Sequence, residues 1–168
     1  TLKSMTDSLG AAEYVSGVVA SSAAGLQMLL PAIVFIVAAC LAFATGTSWG
    51  TFGILIPICI AVFPVAAPLR IISISACMAG AVCGDHISPI SDTTIMASAG
   101  AECKHVHHVS SQLPYALTVA GVSFLTFVVA GLTQGMGLMA SAAISWISGI
   151  ILLIVALTIL KRIKCKKE

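Results

Sequence analysis

The chain has 168 residues, 59% of them apolar and only 8% charged, with a net charge of +2 and a mean hydropathy of +1.10. A soluble domain carries about 25% charged residues, and the eight basic and six acidic side chains here cannot cover the water-facing surface of a domain this size. Composition therefore excludes an ordinary soluble domain, a disordered chain and a nucleic-acid binder, whose phosphate partner calls for a strongly basic field, and leaves an integral membrane protein.

Residues 1–25 are small and weakly polar, and Leu9 to Val19 reads as an amphipathic or interfacial helix. The chain opens without an initiator Met and without a basic start followed by an apolar run. We expect a fragment whose N-terminal portion is missing. Residues 29–67 form a long apolar run interrupted by Thr45-Gly46-Thr47-Ser48-Trp49-Gly50-Thr51. Each flank is ~15 residues, or ~22 Å of helix, short of a ~30 Å hydrocarbon core. Two arrangements fit: a re-entrant hairpin with its tip at 45–51 near the midplane, or two short spans joined by a surface loop. An uncharged peptide rich in hydroxyls and glycine suits a buried turn, which favours the hairpin, with Gly46 and Gly50 supplying the bend.

Residues 69–100 repeat the theme. Leu69 to Cys83 is apolar, Gly84 to Thr94 is polar, and Ile95 to Gly100 resumes a helical pattern. Gly84 loosens the backbone and Pro89 removes a donor, so we expect a broken transmembrane helix, with Ser91 or Asp92 capping its second half. Arg70, at the start, reads as an interfacial anchor. Residues 101–112, with Glu102, Cys103, His105, His107 and His108, read as a solvated cytoplasmic loop without metal-ligand spacing. Residues 113–133 and 142–160 are long enough to span, with a turn at 134–137. The tail 161–168 carries five basic residues, which places the C-terminus in the cytoplasm. The six cysteines show no paired spacing, so no disulfide framework is expected.

Between Leu26 and Gly100 only Arg70, Asp85 and Asp92 carry a formal charge. An intramembrane carboxylate is by default a functional group, and non-helical backbone at membrane depth persists only where it is buried or lines a cavity. Asp85, Asp92, Ser88, Ser91, Thr93, Thr94, Thr47 and Ser48 are therefore the candidate ion- or substrate-binding residues. Asp85 is the candidate Na⁺ ligand, since such a carboxylate can hold either a proton or Na⁺. His86 is a candidate proton relay, or equally a neutral donor locking the break. The hydroxyls could instead satisfy backbone groups freed by the break. Trp49 could gate the site or simply fill space. Gly46-Thr47-Ser48-Trp49-Gly50 also fits the G-x-S-x-G pattern of serine hydrolases, but that motif requires a strand before its turn, and both flanks here are apolar helix.

The segments Ala44 to Gly53 and Cys83 to Thr94, with Gln112-Leu113-Pro114-Tyr115, resemble the NhaC-type sodium/proton antiporter family over roughly residues 28–132. That resemblance implies an all-helical membrane fold of two inverted repeats, each with a re-entrant hairpin and a discontinuous helix meeting at a midplane site. It implies that this chain is the C-terminal repeat, with the N-terminal repeat as its missing partner in the bilayer. The expected function is a secondary antiporter of the cell membrane, exchanging Na⁺ for H⁺ by alternating access, without a cofactor and without catalytic residues. An organic-acid exchanger of malate/lactate type is the alternative, and an intramembrane serine hydrolase a remote one. A homodimer is compatible with this class, although the sequence offers no clear GxxxG face from which to argue it.

Overall fold

A computed structural model describes residues 2–20 and 24–165, and every regular element in them is helical. Helix α1 (Leu2–Ser8) and helix α2 (Ala11–Ala20) are separated by Gly10, whose φ of +63° is the left-handed region that glycine tolerates. Then follow α3 (Ala24–Thr45), α4 (Ser48–Val62), α5 (Pro68–Ile87), α6 (Asp92–Gly100), α7 (His105–Thr133) and α8 (Leu138–Cys165). A single 3-10 turn, Gln134–Met136, and Gly137 at φ +91° join α7 to α8.

Four helices are long and apolar enough to cross a membrane, over Leu26–Thr45, Pro68–Ile87, His105–Met136 and Leu138–Arg162, while Ser48–Val62 is apolar but shorter. The limbs of the hairpin are thus unequal. The first is 22 residues long rather than ~15, because the helical pattern of 29–44 continues back to Ala24. The non-helical tip narrows from the expected heptapeptide to Gly46 and Thr47, since Ser48 to Thr51 already form the first turn of α4. His105 to Gln112, expected as loop, are the first two turns of α7.

The centre of the fold is the α3–α5 seam. Gly80 and Gly84 have no Cβ, and one built on either would run into the carbonyl of Phe35 or Ala39. Ala38, Ala42, Ala76, Cys77 and Ala81 complete a buried layer of small side chains. The two helices run parallel, since Phe35 meets Gly80, Ala39 meets Gly84 and Phe43 meets Ser88. Gly80-Ala81-Val82-Cys83-Gly84 is therefore a GxxxG face, used within the chain to bring two helix backbones together. In lipid, where no hydrophobic force drives helices together, such close contact supplies the dispersion and weak Cα–H···O interactions that hold them. Gly84 was expected to loosen the helix; it lies inside α5 and serves close approach instead.

Helix α7 runs antiparallel to α3, with Gly131 on the Met28 carbonyl and the Phe35 and Phe127 rings 5.5 Å apart. Helix α8 returns along α7 through Thr133 and Ser141, whose hydroxyls are 3.0 Å apart, and through Thr126 against Gly149. This register brings Lys161 and Arg162 to the level of Gln112 and Leu113. The hairpin tip, the break after α5, the start of α7 and the basic end of α8 thus share one end of the helical layer. α3 and α5 each contribute 20 residues of span-length helix up to that point, or ~30 Å of rise. The tip follows the span-length α3 and precedes the shorter α4, and the break follows the span-length α5, so tip and break stand at the C-terminal ends of α3 and α5.

Candidate ion and substrate site

The break is set by Ser88-Pro89-Ile90-Ser91. A residue before proline is pushed out of the helical region, and Ser88 stands at φ −71°, ψ 129°. Pro89 takes the second position of a four-residue turn, where its fixed φ fits, closed by Ser91 N–H donating to the Ser88 carbonyl at 3.3 Å. Ser91 then caps α6 by accepting from Thr93 N–H at 3.2 Å. The break is shorter than the expected Gly84–Thr94: Gly84, Asp85 and His86 remain in α5, and Asp92 to Thr94 open α6.

Asp85 lies in the last turn of α5 and is 4% exposed. Its Oδ1 accepts from the Ser91 hydroxyl at 2.7 Å. With that proton committed, the Thr93 hydroxyl donates to Ser91 Oγ at 2.8 Å. Asp85, Ser91 and Thr93 are thus one network across the break. The last turn of a helix presents the negative end of its dipole, so a buried carboxylate there adds to negative potential. No Lys or Arg occurs between Arg70 and Lys104 to offset it. The chemistry of the site is that of a hard-oxygen acceptor for a small cation or a proton.

Asp92 sits differently. It is exposed, stands in the first turn of α6 and accepts from Thr93 N–H at 2.8 Å. A carboxylate is favoured at a helix N-terminus, where free N–H groups and the positive dipole end meet it. The two carboxylates named together from the sequence have different environments. Asp85 opposes its helix dipole and is buried; Asp92 complements its own and faces outward.

The other hydroxyls bind backbone. Ser88 Oγ donates to the Phe43 carbonyl at 2.7 Å, and Thr94 Oγ1 donates to the His86 carbonyl at 3.1 Å. Ser88 thereby ties the break to the last turn of α3, and Thr94 closes a carbonyl freed by the break. The tip meets the break at Gly46. Its φ is +66°, and a Cβ there would lie 2.9 Å from Ile90 Cγ1 and 3.0 Å from the Ile90 carbonyl oxygen. Both the backbone conformation and the space require glycine. Gly50, expected as a second break, lies inside the first turn of α4, where a Cβ would press on Thr47 Cγ2.

Thr47 is the N-cap of α4, accepting from Gly50 N–H at 3.5 Å, while its carbonyl accepts from the buried Thr51 hydroxyl at 3.1 Å. Ser48 is buried as the first residue of α4. Trp49 is 82% exposed, with its ring edge-on to Phe52 at 5.9 Å. The tip thus supplies a helix N-terminus beside the break, and the Thr47 and Thr51 hydroxyls are bonded within the cap and first turn of α4. His86 Nδ1 donates to its own-helix Val82 carbonyl at 2.8 Å, and the ring lines a cavity of about 340 Å³ between α5 and α7. The ring turns away from the Asp85 network, and only its backbone carbonyl joins the break. Two larger cavities, about 460 and 570 Å³, are apolar lateral grooves that hold none of these residues. Among the described residues no cluster of three or more His, Cys, Asp or Glu could hold a metal.

Two residues on α7 escaped the sequence reading. Gln112 Nε2 donates to the His86 carbonyl at 3.2 Å, and His105 Nε2 donates to the Pro89 carbonyl at 2.7 Å. Their signal was spacing: Gln112 stands two turns after His105 on one face of a helix, visible only once 105–112 is known to be helical.

The Na⁺/H⁺ antiporter family matches residues 1–132. An uncharacterized protein of Haemophilus influenzae is 46% identical over 149 residues, 88% of this chain and 28% of that protein. The malate-2H(+)/Na(+)-lactate antiporter of Bacillus subtilis is 32% identical over 116 residues, 66% of this chain and 25% of its own. The arginine/ornithine antiporter ArcD of Halobacterium salinarum is 34% identical over 120 residues, 67% of this chain and 24% of its own. The chain spans about a quarter of the length of these curated relatives. No solved structure matches. The family and the relatives named for an activity are transporters, not enzymes, which removes the hydrolase reading; the Gly46–Gly50 peptide, accordingly, joins two helices rather than a strand and a helix. With four span-length helices and a family match over residues 1–132 that takes in both the tip and the break, this chain belongs to the Na⁺/H⁺ antiporter family and is part of a multi-pass membrane protein.

Proposed function

We propose that the chain is the ion-binding C-terminal repeat of an NhaC-type secondary antiporter that exchanges Na⁺ for H⁺ across the cell membrane, its second, inverted half lying in the remainder of the full-length protein. The observation that carries the reading is Asp85: a 4% exposed carboxylate in the last turn of a span-length helix, joined across a break by Ser91. A carboxylate so placed takes a proton or a cation in turn, and when the site faces the two sides alternately that competition couples the two fluxes. Asp85 is the ion ligand, Ser91 and Thr93 hold its orientation, and Ser88 and Gly46 keep tip and break together. Lys161, Arg162 and the rest of the basic tail support a cytoplasmic C-terminus, and with it a break at the cytoplasmic end. The test is ΔpH dissipation on Na⁺ addition in everted vesicles carrying the full-length parent. Asp85→Asn should abolish exchange; exchange that persists unchanged in this variant, at equal expression, would overturn the assignment.

A second reading is supported by the convergence of two helix N-termini, of α4 behind Thr47 and of α6 behind Ser91. Free N–H groups at such ends bind carboxylates, so an organic acid could be the exchanged solute with Asp85 holding its coupling cation. Two relatives are named as exchangers of organic solutes. Protein-dependent uptake of labelled malate or lactate would favour this reading over Na⁺/H⁺ exchange.

A further inference from the structure

The break is fastened from outside the Asp85 network by His105. Its Nε2 lies 2.7 Å from the Pro89 carbonyl oxygen and its Nδ1 lies 3.1 Å from Ser98 Oγ, which itself lies 2.9 Å from the Ile95 carbonyl. One imidazole thus joins the turn of the broken helix, the last part of α6 and the first residue of α7. The Pro89 oxygen can only accept, so Nε2 carries a proton in either charge state. The second contact depends on charge. In neutral His105, Nδ1 accepts, and the single Ser98 proton must choose between Nδ1 and the Ile95 carbonyl. In protonated His105, Nδ1–H donates to Ser98 Oγ, and the Ser98 proton is free for Ile95. With a neutral ring two of these three bonds form at once, and with a charged ring all three do.

We propose that His105 is a positioning residue for the broken helix, a proton-sensitive clasp that holds the Pro89 turn against α6 and α7 when charged and loosens it when neutral. It touches neither Asp85 nor Ser91, and it acts through the turn that carries Ser91. Gln112, which holds the His86 carbonyl from the same helix, is the fixed half of the fastening, and His105 the half whose bonds depend on its charge. The titratable and charged groups of the elements meeting here are Asp85 and His86 of α5, Asp92 of α6, Glu102, Cys103 and Lys104 in the connection, His107 and His108 of α7, and Lys161 and Arg162 of α8. His105 alone among them has hydrogen bonds to both the break and α6.

The clasp rests on the transport reading only for its consequence, and its test does not. Hydrogen exchange of the amides of Ile90 and Ser91 is followed in the purified full-length parent at about pH 5 and about pH 8, corrected for the intrinsic exchange rate, a window that spans imidazole titration. One net hydrogen bond is worth about 5-fold in protection. We expect that much more protection at the lower pH in the wild type and in Asp85→Asn. His105→Gln keeps a donor for Pro89 but cannot titrate, and His107→Gln leaves the clasp intact. The pH step should vanish in the first and persist in the second. A step that survives His105→Gln, or is absent from the wild type, overturns the proposal. A step that persists while Asp85→Asn transports normally overturns the Na⁺ site and leaves the clasp standing.

Discussion

Ser91 is the residue on which two structural tasks meet, which makes Ser91→Ala the sharpest perturbation of the site. Its hydroxyl donates to Asp85 Oδ1 at 2.7 Å and accepts from Thr93 N–H at 3.2 Å. A hydrogen bond to a charged acceptor contributes about 1.5–3 kcal/mol, and an N-cap contributes about 1 kcal/mol. Both use one oxygen, so their sum is an upper bound. The cap loss is shared by ion-bound and ion-free states and largely cancels from affinity; the Asp85 bond orients the ligand and does not cancel. Loss of about 1.5 kcal/mol raises the Na⁺ concentration for half-maximal exchange about tenfold. The assay is Na⁺-dependent ΔpH dissipation in everted vesicles from the full-length parent, with expression matched by immunoblot. Ser91→Thr retains the hydroxyl and should recover most of the affinity, which separates the lost bond from a general disturbance of α6. An unchanged Na⁺ dependence in Ser91→Ala, at matched expression, would refute the claim that Asp85 binds the ion in the orientation Ser91 gives it.

Two further outcomes follow from the same geometry. Asp92→Asn keeps an oxygen to accept from Thr93 N–H and loses only an exposed charge near a helix N-terminus, worth about 0.3–1 kcal/mol; its Na⁺ dependence should shift less than about 5-fold, whereas Asp85→Asn should show no exchange in the same vesicles. Gly84→Ala places a methyl group against the Ala39 carbonyl, an overpacking that costs about 1–3 kcal/mol; a lowered melting temperature of the detergent-solubilised protein should report it, whereas Gly100→Ala, where a Cβ meets open space, should leave the melting temperature unchanged.

Hydropathy and charge made the membrane class legible, since spans at 113–133 and 142–160 need only a count of apolar residues. The break was legible because Ser88-Pro89 has few alternatives to leaving the helix, and Ser91 was one of two caps named. Limb length was not. Residues 24–28 mix Leu26 and Met28 with Gly25 and Gln27 and carry no charge, so nothing local marks where α3 begins, and the start of the long first limb is seen in its packing, where Gly131 of α7 meets the Met28 carbonyl. The roles of Gly80 and Gly84 were hidden for a related reason: a missing Cβ reads equally as flexibility or as close approach, and only the neighbouring carbonyl decides. His105 and Gln112 were hidden because a polar stretch between apolar runs reads as loop. Their partners are backbone oxygens 16 and 26 positions away, and no side-chain pattern reports on those.

The directions of the four helix ends that meet near the break explain why two carboxylates seven residues apart differ. Helices α3 and α5 arrive with their C-termini, and α4 and α6 leave with their N-termini. A cation is favoured beside the first pair and an anion beside the second. Asp92 is a carboxylate on the anion-favouring side, where the start of α6 and the Thr93 N–H already meet it. Asp85 is an anion on the cation-favouring side, buried, with no Lys or Arg between residues 71 and 103; its charge is balanced when a proton or a cation arrives. The same polarity leaves the α4 and α6 ends free for a solute carboxylate beside that cation. On the proposed reading, one arrangement of helix ends suits an inorganic cation alone or a cation beside an organic acid, and Na⁺-driven ΔpH dissipation set against uptake of labelled malate or lactate by the full-length parent separates the two.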